Sequence, residues 1–103
     1  MDTKAKILDI AMNLNRIGNW AADDFDGKEK RIRMFLDQTN GYIESVPKSS
    51  LREPFKKTFD RFLEEYDVLK HEGEKKPTDT LAWAERLMTW GNILTHRTQL
   101  LKS

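Results

Sequence analysis

The sequence predicts an all-α protein: one antiparallel, up-down-up-down four-helix bundle over residues 1–103, with helices at approximately 3–22, 27–46, 50–72 and 79–101. Apolar residues recur at helical spacing in four stretches, and proline, glycine and cap-forming residues separate them. No stretch alternates with the period of a strand, and no Asn-Gly turn sits between apolar runs.

The first helix places Ile7, Ile10, Ala11, Leu14, Ile17, Gly18 and Ala21 on one face at about 100° per residue. Gly18 interrupts that stripe at a cost of about 1 kcal/mol against alanine, which implies close approach of a neighbouring helix. The helix is expected to stop near Ala22 or Asp23.

Asp26-Gly27-Lys28-Glu29 has the pattern of a capping box, an acceptor at the cap and a carboxylate three residues on. It predicts a second helix with the stripe Ile32, Phe35, Leu36, Thr39, Tyr42, Ile43 and Val46. Pro47 ends that pattern.

Ser50-Leu51-Arg52-Glu53 repeats the capping pattern, but Pro54 predicts a loose first turn and a regular helix only from about residue 54. The third stripe is Leu51, Phe55, Thr58, Phe59, Phe62, Leu63, Tyr66 and Leu69, the richest in phenylalanine. Gly73 and the charged run to Pro77 are expected to terminate it in the most mobile linker.

Thr78 or Asp79 is the expected cap of the fourth helix, with Trp83, Leu87, Trp90, Leu94 and Leu101 as its stripe. Ala84, Gly91 and Thr98 are read as the small residues that give the tryptophans space.

Composition bounds the function. Apolar residues are 38% of the chain and charged residues 34%, with a net charge of +1. That suits a folded domain of one core, and lacks the excess of positive charge usual in nucleic-acid binding. No apolar run is long enough for a membrane helix or a secretory signal, so the expected location is cytoplasmic, with no membrane partner. The absence of cysteine excludes disulfides, thiolate metal sites and a cysteine nucleophile.

Site-like clusters each have a simpler structural meaning. Asp23, Asp24 and Asp26 resemble part of a calcium loop, but with Gly27 in the sixth position the first and twelfth fall on Ala22 and Arg33. Asp67 and His71, one turn apart, lack a second nearby histidine for a metal, and His96 shares a polar face with Glu85, Thr89 and Asn92. Phosphate loops, nucleophile elbows and paired carboxylates on a core face are missing, so no catalytic residue, metal or cofactor is expected.

Two sets of residues stand out as candidate contacts. Trp20 lies off its helix's stripe, so it packs at the bundle edge or meets another chain; Met12 and Met34 are also off-stripe, and Arg86 and Arg97 border the tryptophans. These five point to a protein-interaction or accessory subunit that self-associates. The second set is basic: Lys28, Lys30, Arg31 and Arg33 at the start of helix two, and Arg52, Lys56, Lys57 and Arg61 at the start of helix three. It would serve an acidic partner or nucleic acid, although the two starts should lie at opposite ends of a monomer.

Overall fold

The computed structural model describes residues 2–101. Four helices, α1 (Thr3–Asp24), α2 (Glu29–Ser45), α3 (Phe55–Glu74) and α4 (Thr80–Arg97), pack side by side in an elongated body of 39 × 21 × 18 Å. Short 3₁₀ turns at Lys48–Ser50 and Thr98–Leu100 precede α3 and follow α4, and the described residues contain no strand.

Side-chain links fix the directions. Lys6 Nζ reaches the Ser45 carbonyl and Asn13 Nδ2 the Gln38 amide oxygen, so α2 descends as α1 rises. Tyr66 Oη donates to the Leu36 carbonyl at 2.8 Å, and Trp83 Nε1 donates to the Leu69 carbonyl at 2.9 Å, tying α3 to α2 and α4 to α3. Gly91 lies against Asn15 and Gly18 against Ala84, which sets α4 antiparallel to α1 and closes the up-down-up-down ring.

The four stripes meet in one core. All seven predicted α1 residues are buried, together with Asn13, whose amide is satisfied by Gln38. The stripes of α2, α3 and α4 are buried except for Phe35, Tyr42, Leu63 and Leu101, which are partly covered at the edges. Phe25, just beyond α1, adds a ring that the periodicity of the first stripe did not place: it meets Trp83 edge-on at 5.7 Å.

Helix ends depart from the sequence reading where side chains found other partners. Asp79 caps α4 as expected, accepting from the amide of Ala82, and Asp2, which the sequence reading did not single out, caps α1 by accepting from the amide of Ala5. The box at Asp26 does not form: α2 starts at Glu29 without a side-chain cap, Asp24 accepts the Gly27 amide, and Asp26 pairs with Lys76. Ser50 caps no helix either. Its hydroxyl donates to the Pro47 carbonyl inside a 3₁₀ turn, and α3 begins at Phe55. Gly73 does not end α3, which continues to Glu74; it is buried against Trp83, so closely that a Cβ there would come within 2.6 Å of the ring. Gly91, expected to give a tryptophan room, instead gives room to Asn15.

Candidate interaction groove

The side of the bundle between α3 and α4 carries an open groove of about 490 Å³. Its floor is the buried Trp90 with half-buried Ile93, and its rim carries Lys57, Arg61 and Arg97. Lys57 and Arg61 belong to the basic set at the start of α3, whereas Arg97 came from the border of the tryptophan stripe. The antiparallel register of α3 and α4 brings the two sets to one place.

That register can be followed as a ladder. Thr58, Glu65 and Glu72 recur every seven residues on α3, and each answers a residue of α4. Arg97 Nη1 donates to Thr58 Oγ1 at 2.9 Å, Trp90 Nε1 donates to Glu65 Oε2, and Arg86 Nη1 lies 3.1 Å from Glu72 Oε1. Sevenfold spacing keeps residues on one side of a helix, because seven residues are close to two turns. The ladder therefore lies beside the apolar seam. Thr58 was placed in the α3 stripe from sequence, but its part in holding Arg97 went unseen; the signal was the spacing of Thr58, Glu65 and Glu72 outside a run of phenylalanines.

The electrostatics divide along the groove. At the inner end Glu65 is engaged by the Trp90 indole and Arg86 by Glu72. At the outer end, among the described residues, Lys57, Arg61 and Arg97 pair with no carboxylate. The outer end is thus a locally basic hollow over an apolar floor, on a chain whose net charge is only +1.

The other candidates lie elsewhere. Lys28 pairs with Asp23, whose carboxyl is held below the usual carboxylate range by the hydrogen bond from Lys28 and by its charge. Arg33 pairs with Glu29 at 2.9 Å, and the Arg31 guanidinium sits 5.1 Å from the centre of the Trp20 ring. Lys30 is exposed beside them. Trp20 itself is partly buried at the α1–α2 edge, meeting Phe35 edge-on at 4.8 Å. Met34 is 59% exposed and Met12 48%. Arg52 and Lys56 are exposed at the start of α3, outside the groove lining.

The acidic and histidine clusters are occupied by local bonds. Asp23, Asp24 and Asp26 serve Lys28, the Gly27 amide and Lys76, while His71 Nδ1 lies 2.8 Å from the Asp67 carbonyl. Among the described residues no three His, Asp or Glu side chains gather as a metal-holding group, and no helix is long and apolar enough to cross a membrane. Comparison with protein-family models, with curated proteins and with solved structures found no match.

Proposed function

We propose that the chain is a cytoplasmic protein-interaction module, without catalysis of its own, that receives an acidic amphipathic segment of a partner protein in the α3–α4 groove. One observation carries this: three cations without acidic partners among the described residues line a single groove whose floor is Trp90 and Ile93. At 1.5 Å of rise per residue, the lining residues from Pro54 to Glu65 span about 16 Å, the length of three helical turns. A helix laid in such a groove uses apolar residues one turn apart as anchors and flanking charges for register.

Charge favours a peptide over a nucleic acid. A polyanion is best held by a continuous track of free cations. Here the basic starts of α2 and α3 lie at opposite ends, and Lys28, Arg31 and Arg33 are engaged within the chain.

Titrating ¹⁵N-labelled protein with a synthetic three-turn helix of leucine and glutamate tests the proposal. The Trp90 indole signal and the amides of α3 and α4 should move while the Trp20 indole stays in place. Shifts centred on Trp20, Arg31 and Met34, or no shifts at all, would overturn it. Single-stranded RNA that moved the same signals more strongly at equal salt would replace the protein partner with nucleic acid.

A further inference from the structure

The outer end of the groove has a second property, which rests on the groove being a peptide site: its three cations are not equivalent. Arg97 alone is fixed by a hydrogen bond, Nη1 to the hydroxyl of Thr58 at 2.9 Å, and Thr58 is buried with 8% of its surface exposed. A guanidinium has two edges that match a two-oxygen acid, one at its tip and one along its side. Nη1 is committed to Thr58, and the side edge, Nε and Nη2, has no partner among the described residues. Lys57 and Arg61 have no hydrogen bond or ion pair among the described residues to set their direction, and act at the rim as exposed charges.

We infer that Arg97, held by Thr58, is the specificity-determining residue of the groove, reading one carboxylate of the partner segment through its Nε–Nη2 edge. The apolar anchor of the same segment lies over Trp90 and Ile93. Lys57 and Arg61 raise the encounter rate and the salt sensitivity of binding without selecting the acid's shape, because exposed charges act mainly through screened, long-range attraction. A planar carboxylate fits the edge with two parallel hydrogen bonds. An ammonium in the same place offers a point charge instead.

The test uses the leucine–glutamate helix and a copy with glutamine in place of the glutamate nearest Arg97. Binding would be measured by fluorescence anisotropy on the full chain. Arg97→Lys keeps the charge and loses the fork, and should weaken the glutamate peptide roughly tenfold while leaving the glutamine copy unchanged. Thr58→Val removes the hydroxyl at nearly constant volume and should weaken the glutamate peptide about threefold to fivefold. Lys57→Gln should weaken both peptides by a similar small factor that disappears at high salt. Thermal unfolding of each variant confirms that its fold is intact.

If the glutamate peptide binds and Arg97→Lys leaves its affinity unchanged, this inference falls while the groove stands. If the wild-type protein binds neither peptide, the groove proposal falls with it. A phosphoserine copy that binds more tightly than the glutamate peptide would overturn the assignment of a carboxylate.

Discussion

The two sides of α4 are built on opposite plans. Toward α1 the contact closes over two glycines: a Cβ on Gly18 would meet the Met88 side chain and come within 2.9 Å of the Ala84 carbonyl, and one on Gly91 within 2.8 Å of the Asn15 side chain. Toward α3 the contact is made of rings: Phe62 lies 5.5 Å from Trp90, and along α3 it is flanked by Phe59 at 5.8 Å and Tyr66 at 5.5 Å. Interaxial distance follows the size of the side chains at the crossing. The α1 side closes into a seam, and the α3 side stands off far enough to leave a groove above its rings. The two sides should therefore be sensitive to opposite changes of volume: the ring side suffers when atoms are removed, the seam when atoms are added.

The largest effect tests the ring side. Phe62 is fully buried and touches three other aromatic rings, so Phe62→Ala leaves a cavity that its rigid neighbours fill only in part. A loss of about 3–5 kcal/mol is expected in urea unfolding, a large share of the roughly 5–15 kcal/mol that holds a domain together. A cost below 1 kcal/mol would mean that the rings do not set the spacing of α3 and α4.

Next in size is the seam. In Gly18→Ala the new methyl meets the Met88 side chain, which can turn aside, and the Ala84 carbonyl at 2.9 Å, which cannot, so α1 must move from α4. Overpacking of this kind costs about 1–3 kcal/mol, and helix propensity returns about 1, so a net loss of up to about 2 kcal/mol is expected. In thermal unfolding that lowers Tm by roughly 4–8 °C per kcal/mol. A gain in Tm would break the contrast between the two sides of α4.

What the sequence displayed of this contrast was uneven. The stripes, the stop at Pro47 and the Asp79 cap depend on residues a few positions apart, so periodicity and local hydrogen bonding are sufficient to see them. Gly18 was legible for the same reason, as a small residue in the middle of an apolar face. Gly73 was not: it looked like a terminator, yet it makes room for Trp83, a residue on another helix. The capping box at Asp26 failed because Lys76, fifty positions away, took the carboxylate. The groove was hidden in the same way. Arg97, Lys57 and Arg61 were each visible as candidates, but their meeting depends on the register between α3 and α4, which no single helix records.

A smaller effect concerns how α3 is held on the side away from the groove. Burial raises the Tyr66 hydroxyl well above the usual tyrosine range, while it donates to the Leu36 carbonyl. Tyr66→Phe should cost about 1 kcal/mol at neutral pH, the worth of one hydrogen bond. Because the folded state keeps the proton that the unfolded chain loses, the wild type loses stability as pH rises above about 10. The phenylalanine variant lacks that loss. Its deficit should shrink by up to about 1.4 kcal/mol per pH unit there, as read from urea midpoints at several alkaline pH values. A constant deficit would show that the hydroxyl ionises equally in both states.

The smallest expected effect separates two contacts within the seam. Gly91→Ala places its methyl within 2.8–2.9 Å of the Asn15 amide, nominally as tight as the carbonyl that Gly18 meets. The obstacle differs in kind, because Asn15 is only partly buried and its amide can turn about χ1 and χ2, whereas a helical carbonyl is fixed by its own hydrogen bond. The cost of moving Asn15 and the roughly 1 kcal/mol gained by replacing a helical glycine should nearly cancel. Gly91→Ala is therefore expected within about 0.5 kcal/mol of the wild type, while Gly18→Ala is clearly destabilised. Equal losses in the two variants would show that Asn15 is as immobile as backbone, and that the seam is closed along its whole length rather than pinned at Gly18.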